Sequence, residues 1–190
     1  MEGTQQLAVI IPMLKHVGAR IEPEQHDLRT PCASFTVADV LEHMTGLACA
    51  FAPAFRGEAT PTGQAMPAAS AAERISRFQD AMQDLLDSVE SPGALDRVID
   101  SPFGTMPGGT FARLVAFDGI IHGWDLASST DQPWMPPDDI VTEVDDFARQ
   151  ALKPDMRDGD TFAAEATVSS DATPFERLVA FSGREIRERL

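Results

Sequence analysis

Three side chains in this sequence could share one metal ion: His43, Asp118 and His122. Asp118 and His122 stand four apart in AFDGIIH, so on a helix they project from one face about 6 Å apart. His43 lies one turn from both Val40 and Leu47, so it points with an apolar helix stripe. A carboxylate in the middle of an apolar helix face is costly unless it is paired, hydrogen-bonded or metal-bound. A histidine from a facing helix would complete three ligands, and three protein ligands plus water is the usual arrangement of a catalytic zinc. Spacing leaves plainer readings open: Asp118 and His122 as an ion pair, and His43 as a hydrogen-bonded core filler.

Other candidates rank below these. Asp125, three residues after His122, could orient a ligand imidazole from behind, or could equally be a helix-surface aspartate. Trp124 is most simply packing, and His16, beside Lys15, is expected at the surface. His26 lies in the Pro-bracketed stretch EPEQHDLRTPC and is expected to be solvated. Cys32 precedes a helix, whose positive end would lower its thiol pKa if the sulfur points that way, whereas Cys49 reads as core. No nucleophile elbow, P-loop or dinucleotide fingerprint occurs.

These residues need elements to hold them. Leu7, Ile10, Ile11, Leu14 and Val17 recur at helical spacing and predict a helix over 4–21, with Pro12 as a kink or a later start. Thr36 caps a second helix, with Asp39 in capping-box position and Phe35 stapling onto Val40; the stripe runs to about Phe55. ATPTGQAMPAA is a linker, and a third helix spans 70–90 before Ser91-Pro92-Gly93. The segment 94–109 is ambiguous between a short strand and a helical turn. A fourth helix runs from about Thr110 to Ser129, and WMPPDDI breaks it. A fifth follows Pro137 to about Leu152. Alternation of Phe162, Ala164, Ala166 and Val168 predicts a short strand, and a small helix closes the chain. Four long amphipathic helices describe a four-helix bundle, which builds metal sites in its core. Residues 1–133 form that bundle, and 134–190 add a short α+β appendage within a single domain.

Bulk properties narrow the partners. At 190 residues the chain buries enough surface to fold without a staple, so any metal is functional. A net charge of −15 repels phosphate backbones and anionic lipid, which argues against nucleic acid and membrane surfaces. Two unpaired cysteines, no secretory leader and no long apolar span predict a reducing cytoplasm.

Three phrases together resemble one family: TPCASFTVADVLEHMTGL at 30–47, GGTFARLVAFDGIIHGWDLASSTDQP at 108–133 and DATPFERLVAFSGRE at 171–185. The set looks like the DinB-like bundles related to the mycothiol-dependent maleylpyruvate isomerase N-terminal domain, in particular their short actinobacterial metal-binding branch. The resemblance implies a DinB-type bundle with one divalent ion at the end of a cleft. It places the ligands on the second-helix histidine, His43, and on an acid and a histidine one turn apart, Asp118 and His122. The isomerase carries glutamate at the acidic position, so the shorter Asp118 implies an ion closer to the fourth helix, a weaker site or a different metal. Zinc is the first expectation for nitrogen and oxygen ligands, with nickel or iron next. The resemblance also implies a low-molecular-weight thiol, mycothiol, acting on an electrophilic substrate, and a homodimer through bundle faces.

Two functions follow as expectations. One is a divalent-metal-dependent enzyme that uses the thiol for S-transfer or isomerisation. The other is a non-catalytic metal- or ligand-binding stress or sensor module, favoured by the lack of a second acid–base group beside the triad. A purely structural bundle, in which Asp118 and His122 merely pair, is the third.

Overall fold

A computed structural model of the chain describes residues 1–59, 70–101, 104–154, 157, 159 and 162–186. Six helices and one hairpin follow in order: α1 Gly3–Gly18, α2 Val37–Arg56, α3 Ala71–Val89, β1 Val98–Ser101, β2 Gly104–Pro107, α4 Gly108–Ser129, α5 Asp138–Ala151 and α6 Pro174–Phe181. The architecture is mainly helical, a DinB-like bundle of α1–α4 with α5 packed on α4 and α6 packed on α5.

Local chemistry sets the boundaries. Asp39 N–H donates to Thr36 Oγ1 at 3.2 Å while Thr36 N–H donates to the Asp39 carboxylate at 2.8 Å, the expected capping box. Ser70 caps α3 through Glu73 N–H at 3.1 Å. Pro12 lies inside α1 on its exposed face, and the helix continues through it. Gly57, at φ +76°, ends α2 in the left-handed conformation that glycine adopts without a Cβ penalty.

α1 packs between α4 and α3, and α2 packs mainly on α3, leaving the α2–α4 seam the most loosely closed. α4 is buried on most of its faces because α1, α2 and α5 all cover it. A Cβ on Gly119 would stand 3.2 Å from Ile10 and 3.4 Å from Leu14, so the glycine sets the close approach of α1 and α4.

Three expectations change. The ambiguous segment is a 3-10 turn at Ala94–Asp96 followed by the antiparallel hairpin, with Ile99 opposite Met106. The strand expected over 162–168 does not form. The segment runs extended beside α6, with Ala166 N–H on the Ala180 carbonyl at 2.9 Å, and among the described residues no other strand lies alongside it to make a ladder. Its alternation mislabels burial, since Phe162 alone in that run is buried, stacked on Phe117 at 5.0 Å. Cys49 is exposed, not core: Met44, Ala48 and Ala52 carry the buried stripe, and the next position turns about 100° away. The linker expected at 59–69 falls almost wholly outside the described residues. Among the described residues, no helix is long and apolar enough to cross a membrane.

Candidate metal centre

His43 sits mid-way along α2, and Asp118 and His122 sit one turn apart on α4, so the three meet across the α2–α4 seam. The Asp118 Oδ1 lies 3.5 Å from His122 Nε2 and 3.8 Å from His43 Nε2. One ligand atom from each residue falls within 4.8 Å of the others. Ligands bound at about 2.1 Å in a tetrahedron are about 3.4 Å apart, so these spacings fit one divalent ion. Both Nε2 atoms are buried and lack a hydrogen-bond partner. Two buried, unpaired ring nitrogens aimed at one carboxylate are costly as they stand, and an ion between them removes the cost.

The surroundings prepare each group. His122 donates from Nδ1 to Asp125 Oδ2 at 2.9 Å, which leaves the Nε2 lone pair facing Asp118. Asp125 is fully buried, and Arg184 grips both of its oxygens, Nη2 at 2.8 Å and Nε at 3.3 Å. Burial pushes the Asp125 carboxyl up, but the Arg184 guanidinium and then His122 outweigh it and hold it below the usual carboxylate range. Asp118 behaves likewise: burial raises it, while His122, His43 and Arg184 bring it down to a net value below the ordinary one. At His43, burial lowers the imidazole and the Asp118 carboxylate raises it further, so the net direction is upward.

The expected surface aspartate is therefore the alternative that fails for Asp125, which stands behind His122. Two neighbours of the site were given no part in it by the sequence reading. Arg184 belongs to the closing phrase LVAFSGRE, and only the fold brings it 59 residues back to Asp125. Phe35 stacks over His122, with ring centroids 6.2 Å apart and planes within 15°, and lies 5.4 Å from His43. It shields the histidine pair in addition to serving as a helix staple. The phrase HGWD also gains a reason: a Cβ on Gly123 would come within 2.2 Å of the Trp134 ring, so the indole packs on bare backbone beside His122.

Of the lower-ranked residues, His16 is exposed as expected. His26 is not solvated: it is 5% exposed, and its Nδ1 lies 3.1 Å from Arg74 Nη1. The loop folds back on α2, with Val37 N–H on the Leu28 carbonyl at 3.0 Å and Ala38 N–H on that of His26 at 2.9 Å. Cys32 is buried at 1% exposure and lies close enough to Arg184 to interact with its charge.

A cavity of about 330 Å³ runs from this cluster into the bundle core, with His43 and Asp118 on its wall. Leu7, Leu14, Phe51, Met82, Leu85 and Phe111 supply much of the rest.

The helical bundle carries a His–Asp–His cluster at the rim of its core cavity, and its fold is the expected DinB-like one. The chain matches the family described as the mycothiol maleylpyruvate isomerase N-terminal domain over residues 12–127, and it belongs to that family. The matched stretch contains His43, Asp118, His122 and Asp125 and ends before Arg184. Two relatives, uncharacterized proteins of Mycobacterium tuberculosis strains CDC 1551 and H37Rv, are each 29% identical over 170 residues, covering 89% of this chain and 90% of theirs. The crystal structure of a histidine-to-alanine mutant of the mycothiol-dependent maleylpyruvate isomerase superposes with a TM-score of 0.57 at 12% identity. That likeness is one of fold, and it covers 74% of this chain and 65% of the isomerase, just under two thirds of its length.

Proposed function

We propose that His43, Asp118 and His122 hold a divalent ion, zinc first among the candidates, and that the protein is a metal-dependent enzyme acting with a low-molecular-weight thiol such as mycothiol. The observation that carries the reading is the pair of buried, partnerless Nε2 atoms facing one Asp118 oxygen at 3.5 and 3.8 Å. The family is named for a mycothiol-dependent isomerase, which supports the thiol. When bound, the ion supplies Lewis acidity that lowers the pKa of a thiol and so makes a thiolate available at neutral pH.

The chain's own residues do the rest. Asp125 fixes the His122 tautomer, and Arg184 fixes Asp125. Phe35 and the apolar cavity wall keep water from the cluster, which strengthens every charge interaction there. An electrophile held in the cavity would lie within reach of the thiolate at the rim. The thiolate sulfur would form a C–S bond to the electrophile; expulsion of a leaving group such as chloride completes S-transfer, whereas rotation about the new single bond and expulsion of the same thiolate completes isomerisation. Conjugation of 1-chloro-2,4-dinitrobenzene with mycothiol, followed at pH 7, tests this directly. Turnover that depends on both metal and thiol supports the proposal; an intact metal centre that binds no thiol by calorimetry removes the transferase reading.

One observation favours a second reading, a metal- or ligand-binding module without turnover. Among the described residues lining the cavity, His43 and Asp118 are the only titratable side chains, so no separate general acid or base stands ready. Tight thiol binding with no conjugation is the result this reading predicts.

A further inference from the structure

The walls of the cavity differ in exposure. Lining residues from α1 and α3, such as Leu7, Leu14, Met82 and Leu85, are buried, whereas Leu47, Phe51, Leu114 and Val115 are half-buried and all lie on α2 or α4. The cavity therefore opens along the α2–α4 seam, the same seam that carries His43 and Asp118. Its floor is hydrocarbon. Asp118 is the one charged group among the described lining residues, and no lysine or arginine is among them. Arg184, the nearby cation, is committed to Asp125.

From this arrangement we propose that the cavity binds a neutral molecule bearing one aryl or branched alkyl group, seated in the bundle core with its polar end at the His43–Asp118 rim. The inference deepens the proposed function by naming a substrate class, and only the placement of the reactive end rests on that reading. Size follows from volume. A dry cavity of about 150 Å³ accepts benzene, so 330 Å³ accommodates roughly twice as many atoms, about a dozen. Charge follows from the lining. An organic anion whose charge sits among these hydrocarbon side chains would shed its hydration without meeting a lysine or arginine of the described lining, and the proposed ion at the rim is already partly neutralised by Asp118. A doubly charged acid is thus poorly matched to the described wall, because a charge held away from the rim meets only hydrocarbon, while a neutral aromatic exchanges water for hydrocarbon contact.

Two near-isosteric probes decide it: methyl 2-naphthyl sulfone, neutral, and 2-naphthalenesulfonate, an anion that coordinates divalent ions weakly. Calorimetry is run on the full chain, both as purified and after treatment with EDTA, with metal content measured in parallel. The expected result is one site per chain and binding of the neutral probe at least about tenfold tighter in both preparations. Val115→Phe, at the mouth, should narrow the cavity and weaken that binding by about tenfold or more while the protein melts normally. Leu47→Arg should bring a guanidinium to the rim and raise the affinity for the sulfonate about tenfold. Equal or tighter binding of the sulfonate by the wild type overturns the proposal, as does unchanged binding of the neutral probe in a folded Val115→Phe protein. Protein found without metal that still prefers the neutral probe supports the cavity assignment and removes the metal reading, so the two are separable.

Discussion

His122 and His26 are both buried, both engage Nδ1, and both leave Nε2 without a partner, yet the two rings are prepared for opposite tasks. At His122 the Nδ1 partner is the Asp125 carboxylate at 2.9 Å, which can only accept, so Nδ1 carries the proton and Nε2 presents a lone pair. At His26 the partner is the Arg74 guanidinium at 3.1 Å, which can only donate, so Nδ1 accepts and Nε2 carries the proton. The first ring faces a second imidazole and a carboxylate at ligand spacing; among the described residues the second belongs to no such group. Burial does not make a histidine a ligand. The sign of the group behind it decides which nitrogen is free to bind.

That difference can be broken at its supports. The largest effect is expected from Asp125→Ala, which strands Arg184 at 3% exposure without its carboxylate. Leaving a buried charge unpaired costs about 3–5 kcal/mol, a drop in Tm on the order of 10 °C for a chain of this length. Arg74→Met, behind the other histidine, removes partly exposed ion pairing with Glu42 and leaves the buried His26 Nδ1 without its donor, which should cost about 1–3 kcal/mol. Thermal melts of the two variants side by side check the contrast.

A gentler change keeps the shape and alters only the sign. Asp125→Asn no longer dictates the His122 tautomer, and metal affinity should fall about 10- to 100-fold in a competition titration. Arg74→Met should leave that affinity unchanged, because His26 is not a ligand.

Protons compete for the same nitrogen as the ion. His43 sits above the ordinary histidine value once Asp118 has overcome its burial, so its ring is increasingly protonated as the pH falls into the acid range. Metal occupancy should decline below about pH 6, and the apparent affinity at pH 5 should be weaker than at pH 8. Undiminished occupancy at pH 5 speaks against histidine ligation.

The smallest effect belongs to His26. Burial first, and then Arg74, lower its value below 6.5, against a weaker opposing pull from Asp27. The unfolded chain therefore binds more protons than the folded one between the depressed value and 6.5, and stability rises with pH across that window. In metal-free protein, lowering the pH from 7.5 to 5.5 should destabilise the wild type relative to His26→Gln in urea titrations. An identical pH dependence for both contradicts the buried, neutral assignment.

What could be read in the sequence follows the range of each interaction. His43 shows itself through its place in the α2 stripe, and Asp118, His122 and Asp125 through intervals of three and four on one helix. All of these are local signals. Arg184 is 59 residues from Asp125, and no periodicity reports such a distance. His26 looked solvated because its loop has no repeat; backbone bonds to Val37 and Ala38 are what bury it. The helices of the bundle were legible because α1, α2 and α3 each cover a core on one side and carry a matching stripe. The failed strand at 162–168 had alternation without a neighbouring strand, and alternation alone forms no ladder.

The central claim is that one ion lies between His43, Asp118 and His122, and its most direct test is metal content in tag-free protein. Wild type and His26→Ala should each carry about one equivalent of a divalent ion. His43→Ala and His122→Ala, folded by circular dichroism, should lose it. Full retention of the ion in both of those variants would contradict the site.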